Sequence, residues 1–179
     1  MQHNRERIEL EIPKTPIRFW WFVVRKERKY LAISLLALTI AQSATTSISF
    51  VIRSIIDTAT NVSKGTDQSS DVWFWVMVYI GVMATLFVGW RVSGFYGSTL
   101  VTRTNASAYK VLFGYLTRHS FTYFANRFAG SLSSKVAHAS EGVQSLSEAF
   151  LWNYYNASLS LILTVVYMYI TSPLIAWIF

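Results

Sequence analysis

Residues able to do chemistry are few in this chain, and their spacing is wrong for most kinds of it. Two glycine-started runs come nearest to a phosphate loop. In residues 130–135 the lysine, Lys135, follows Ser134 where a glycine is required; after residues 89–94, Phe95 stands where the lysine should be. Neither run can cradle phosphates with lysine support, so the chain is expected to bind no ATP by itself and to catalyse nothing. His3, His119 and His138 lie far apart, no His-x-x-x-His or paired-carboxylate spacing occurs, and there is no cysteine. No metal site, no cofactor and no disulfide framework is therefore expected. Serine hydrolase chemistry has no glycine-flanked elbow to sit on.

What remains is recognition by polar faces. Gln42, Thr46, Ser49 and Arg53 recur at spacings of 4, 3 and 4, and Asn153, Asn156, Ser160, Thr164 and Tyr167 at 3, 4, 4 and 3. Each set shares one side of a helix. Both sets lie in apolar surroundings, where polar groups need a partner or water. Two readings stay open for them: hydrogen-bonding contacts between helices, or the lining of a cavity. Arg53 and Asp57, four apart, can pair. The other recognition feature is residues 121–136, FTYFANRFAGSLSSKV, a basic amphipathic stretch between two long apolar runs.

Those runs define the elements. The chain has 179 residues, 53% hydrophobic and 14% charged, with a net charge of +7 and a mean hydropathy of +0.34. Soluble domains carry about 25% charged residues, so the balance points to a membrane. Residues 30–52, 72–90 and 149–179 contain no charge at all, and each covers the ~20 residues that a spanning helix needs. Little is left for a soluble domain. The positive excess is read as the mark of cytoplasmic segments, and no basic–aromatic groove for nucleic acid is visible.

Taken in order, residues 1–15 form a polar tail without the apolar core of a signal peptide. Residues 16–29, PIRFWWFVVRKERK, place aromatics beside cations, which suits the headgroup level. They read as an interfacial helix leading into the first span, or else as the start of that span. Spans are predicted at about residues 30–56, 72–100 and 149–170, with a cytoplasmic projection over about 101–148. The loop between Asp57 and Asp71 is net negative and the cluster from Arg25 to Lys29 positive, which orients the first span from the cytoplasm outward. Asn61-Val62-Ser63 in that loop is a glycosylation sequon, meaningful only in a eukaryotic secretory membrane. Trp73, Phe74 and Trp75 supply an aromatic belt.

No proline interrupts residues 72–116, so the second span is predicted to continue as one long helix into the cytoplasm. Val136, Ala139, Val143, Leu146 and Phe150 then repeat at 3, 4, 3 and 4, a heptad-like seam along which a second projecting helix would pack. Thr171-Ser172-Pro173 breaks the last apolar run and leaves the beginning of a fourth element.

In this setting residues 123–136 resemble the first intracellular loop of the transmembrane domain of ABC exporters of the type 1 fold. The loop's pattern of two aromatics, a short polar run, glycine, a polar residue, leucine, serine and a basic residue before an aliphatic one is matched. Its places are held by Tyr123, Phe124, Gly130, Ser131, Leu132, Ser134, Lys135 and Val136. The amphipathic helix before the first span and the Ile56-Asp57 pair at that span's end fit as well. The family usually has an aspartate four residues after the basic position; this chain has Ala139, with Glu141 nearby.

The resemblance implies an all-α membrane protein with long helices extending into the cytoplasm, comprising the first three spans of a six-span domain and the start of a fourth. It implies a truncated or partial permease, without the nucleotide-binding domain, working as a homo- or heterodimer. ATP and Mg are expected only on the partner nucleotide-binding domain, and the N-terminus in the cytoplasm of a bacterial cell. Phe121, Tyr123, Phe124, Asn126, Arg127 and Gly130 would form the coupling helix that docks on that domain, with the aromatics as anchor. Gln42, Thr46, Ser49, Asn153, Asn156 and Ser160 would line the translocation path. A different class is also open: a small non-transporting membrane protein that binds or regulates a partner through the same loop.

Overall fold

The computed structural model describes residue 13 and residues 15–65, 69–117 and 129–171. All secondary structure among them is helical. Helix α1 covers Pro16–Val24, and a 3₁₀ turn covers Arg25–Glu27. Helix α2 runs over Arg28–Ser63, α3 over Ser69–Leu116 and α4 over Ala129–Glu148. A π turn over Ala149–Tyr155 leads into α5, Asn156–Thr171. Pro16 starts α1, where its missing N–H costs nothing. Arg25 and Arg28 keep right-handed helical dihedrals. The basic cluster is thus a tightening of one helical path, without a break before α2.

Helix α2 outlasts its apolar run. The sequence predicts a loop from Asp57, yet helix persists to Ser63 because nothing between them breaks it. Gly65 does: its φ of 76° is the left-handed conformation that glycine adopts freely, and its N–H bonds the Val62 carbonyl at 3.0 Å. Helix α3 holds 48 residues without interruption, ~72 Å at 1.5 Å per residue. Among the described residues three stretches are long and apolar enough to cross a membrane: Pro16–Ser63, Ser69–Leu116 and Leu132–Ile170. Large side chains such as Trp73, Phe87 and Leu161 stand exposed on them, as lipid-facing residues do.

The chain divides into two compact units. One comprises Met1–Ala32 and Tyr96–Leu151. Its core is Phe19 and Val23 of α1, Ala108 of α3 and Val143 of α4, flanked by Trp20, Phe22, Val111 and Leu112. Polar contacts frame that core. Trp20 donates its indole N–H to Ser147 Oγ at 2.9 Å, and Asn105 Nδ2 donates to Gln144 Oε1 at 2.8 Å. Arg103 meets Glu27 at 3.7 Å and lies 4.6 Å from the Tyr30 ring centre.

The seam of α4 differs from the heptad expectation. Val136 and Val143 are buried, but Ala139 and Leu146 are exposed, and Ser140 and Ser147 are buried in their place. The stripe reads Leu132, Val136, Ser140, Val143, Ser147, Leu151. These serines can be buried because each hydroxyl already donates to its own helix, Ser140 to Ala137 O at 2.9 Å and Ser147 to Val143 O at 2.8 Å. The small size of Ser147 also admits Trp20.

The other unit comprises Ile33–Phe95 and Trp152–Phe179. Here α2 and α3 meet through small residues. A Cβ on Gly89 would lie 2.9 Å from Ala41 Cβ and 3.2 Å from the Ala37 carbonyl, and one turn along, the Ser34 and Ser93 hydroxyl oxygens are 3.3 Å apart. In lipid, where burial from water drives nothing between helices, such close backbone approach supplies the van der Waals contact. Thr39 Oγ1 and the Tyr155 hydroxyl share a 2.8 Å hydrogen bond, and Phe50 meets Trp75 edge-on at 6.1 Å.

Candidate functional site

Thr46, Ser47, Arg53, Ser54 and Asp57 rise along one side of α2, and α5 closes part of that side. The result is a cleft of about 570 Å³ within the second unit. Helix α2 contributes Thr46, Ser47, Phe50, Arg53, Ser54 and Asp57; α5 contributes Tyr167 and Ile170. Thr46 and Tyr167, one from each polar face read in the sequence, therefore line the same space, with Arg53 beyond them.

Its chemistry is set by where the hydroxyl hydrogens go. Thr46 Oγ1 donates to Gln42 O at 3.1 Å, Ser47 Oγ to Ser43 O at 2.8 Å and Ser54 Oγ to Phe50 O at 3.0 Å. With their single hydrogens engaged by the helix, all three present lone pairs to the cleft. Arg53 Nε meets Asp57 Oδ2 at 3.5 Å, both side chains more than half exposed. One end of the cleft thus carries a neutralised ion pair, and the Phe50 ring and Ile170 supply apolar wall. Such a surface can accept hydrogen bonds beside an apolar wall.

The remaining lining residues named from the sequence fall elsewhere. Gln42 is buried and Ser49 exposed, and neither lines the cleft. Asn153 is exposed, whereas Asn156 and Ser160 are half-buried. The π turn explains the split: its wider turn shifts every later side chain around the axis, so Asn153 and Asn156 do not share the face that a regular helix would give them. Asn156 Oδ1 is enclosed and carries no hydrogen bond. Phe121, Tyr123, Phe124, Asn126 and Arg127 lie outside the described residues; Gly130 belongs to the first turn of α4. Among the described residues no three His, Cys, Asp or Glu side chains come together as a metal site would need. Sequence reasoning missed Ser47 and Ser54, which differ from the named set only by lying one residue beside it.

Long helices exposing large apolar side chains, a small-residue helix contact and a polar cleft between spans define an integral, multi-pass helical membrane domain. The chain belongs to the ABC transporter transmembrane region family, whose pattern matches residues 31–179. No curated protein and no solved structure matches the chain. Family membership makes it a membrane domain of a transporter, and that domain is not itself the catalytic part.

Proposed function

We propose that the chain is a permease portion of an ATP-driven exporter, moving an amphipathic solute along a path to which the α2–α5 cleft belongs. The observation that carries this reading is the cleft itself: Thr46 and Tyr167 from two spans, with the Arg53–Asp57 pair, give polar footing inside an apolar bundle. Membership of the transporter family supplies its context. ATP and Mg sit on a separate nucleotide-binding domain, and a second transmembrane domain, identical or not, completes the path. Phe121, Tyr123 and Phe124 anchor the coupling segment on the nucleotide-binding domain, Asn126 and Arg127 contact its rim, and Gly130 stands in the first turn of the helix that follows it. The N-terminus faces the cytoplasm, because the positive cluster flanks the start of the first span.

The test is affinity purification of the chain with its partners from membranes of cells that produce it, followed by measurement of Mg-dependent ATPase activity. The parent chain brings down a phosphate-loop ATPase. The double variant Tyr123→Ala, Phe124→Ala inserts equally well and loses that ATPase. Absence of an ATPase from the parent, or full retention by the variant, overturns the coupling role.

A further inference from the structure

The Arg53–Asp57 pair in the cleft is loose. Its nearest approach is 3.5 Å, Nε to Oδ2, against the ~2.7–2.9 Å of a charge-assisted hydrogen bond. The side chains are 62% and 65% exposed, and no other ion pair among the described residues engages either one. A guanidinium carries several N–H donors and a carboxylate several lone pairs. Both ends of the pair therefore keep capacity for a further partner.

The residues around the pair separate its two charges. Along α2, Ser47, Phe50, Ser54 and Asp57 stand at spacings of 3, 4 and 3. Thr46, Phe50, Arg53 and Asp57 stand beside them at 4, 3 and 4. Residues three or four apart are neighbours on a helix, so the first row places two hydroxyl oxygens on the carboxylate's side. Ser47 and Ser54 donate to Ser43 O and Phe50 O, which leaves only lone pairs for a visitor. That row suits a protonated amine, whose N–H groups need acceptors. Arg53 suits an anion. Phe50, half exposed and met edge-on by Trp75 at 6.1 Å, and Ile170 of α5, 76% exposed, present apolar surface to the same space.

A visitor with one charge would take one member of the pair and strand the other. A stranded charge among apolar spans is unfavourable, whereas a visitor with both charges pairs both members at once. We propose that the cleft takes a zwitterion, a primary amine and an anionic group close together on an apolar body. The amine meets Asp57, Ser54 and Ser47, and the anion meets the guanidinium of Arg53. The cleft's volume of about 570 Å³ lies within the ~300–1,000 Å³ usual for small-molecule sites. Two sources carry this chemistry, an aminophospholipid of the bilayer and a short apolar peptide. The inference rests on the transport reading and deepens it by naming what the cleft holds. Its test uses neither ATP nor a partner, so it can fail while an ATPase still copurifies, and the reverse.

The test titrates the full chain in detergent with short-chain phosphatidylethanolamine and with leucyl-phenylalanine, and counts bound molecules by native mass spectrometry. At least one of the two binds; the lipid alone marks a bilayer source, the dipeptide alone a soluble one. Blocking the amine weakens binding about tenfold, whether in phosphatidylcholine, which has no N–H to donate, or in the N-acetylated dipeptide. Arg53→Gln and Asp57→Asn each weaken the zwitterion about tenfold, the scale of one hydrogen bond to a charged group. Preference then changes sign: Arg53→Gln gains affinity for decylamine and Asp57→Asn for decyl phosphate, gains that a misfolded variant would not show. Lys110→Gln, exposed on α3, changes nothing. Ser47→Ala with Ser54→Ala, which removes the acceptor oxygens, weakens the zwitterion as well and serves should a charge variant fail to insert. A parent that binds neither zwitterion overturns the inference. So does equal binding of the amine-blocked probe, or a parent that prefers decylamine alone.

Discussion

The indole N–H of Trp20 donates to Ser147 Oγ at 2.9 Å, and the same hydroxyl donates to the Val143 carbonyl at 2.8 Å. A helix near the N-terminus is thereby fixed to one 127 residues later by a bond that both partners satisfy without water. The Trp20 ring also lies 5.3 Å from that of Phe150. Removing the hydroxyl in Ser147→Ala leaves an indole N–H without its acceptor and costs about 1 kcal/mol. Trp20→Ala, which also removes the ring from beside the core, costs about 3 kcal/mol. Thermal unfolding in detergent, followed by circular dichroism, should order the two variants this way. Equal effects would mean that the hydrogen bond, and not ring burial, dominates the junction.

Gly89 carries the second prediction. A Cβ there would meet Ala41 Cβ at 2.9 Å and the Ala37 carbonyl at 3.2 Å, neither of which is the end of a flexible chain. Gly89→Ala must push α2 and α3 apart, and overpacking of this kind costs about 1–3 kcal/mol, more than the ~1 kcal/mol that alanine gains in helix propensity. Gly142 is the control, since nothing lies within 4 Å of its added Cβ. Gly142→Ala should stabilise by about 0.5–1 kcal/mol. Opposite signs in the two melts confirm the close approach; the same sign would remove it.

These two positions show what the sequence could and could not tell. The spans were legible because uncharged runs of that length have one use, and the Arg53–Asp57 pair because four residues is one helical turn. The helix contact at Gly89 was not, since a glycine within an apolar run does not state which neighbour approaches it. The α4 seam failed for a related reason. Hydropathy selected Ala139 and Leu146, whereas the structure buries Ser140 and Ser147, whose hydroxyls bond their own backbone, and Ser147 also receives the Trp20 indole N–H. Asn153 and Asn156 separated because a π turn carries no hydropathy signal.

Arg103 offers a test of coupling at the start of α2. It meets Glu27 at 3.7 Å and the Tyr30 ring at 4.6 Å, with its own side chain 52% exposed. Solvent at that exposure reduces the ion pair to about 0.5 kcal/mol, and the ring contact adds a similar amount. In a double-mutant cycle Glu27→Gln and Arg103→Gln should show a coupling of about 0.5 kcal/mol that shrinks with added salt. Tyr30→Leu should lower stability without altering that coupling. Strict additivity of the Glu27 and Arg103 variants would dissolve the pair.

The absence of cysteine makes the chain ready for mapping its cleft and its orientation, because each introduced thiol is the only one present. Ser54→Cys faces the cleft and should react with a hydrophilic maleimide in intact membranes. Leu38→Cys, at a fully buried position, should remain unmodified until the protein is denatured. Lys64→Cys, beside the turn that ends α2, should be labelled from outside the cell. Gly142→Cys, exposed on α4, should react only once the membrane is opened. If Gly142→Cys reacts from outside the cell and Lys64→Cys only once the membrane is opened, the orientation drawn from the basic cluster is wrong. If Ser54→Cys is inert while Lys64→Cys reacts, the cleft is covered in the membrane by another helix or by lipid, and solute cannot enter it from the aqueous phase.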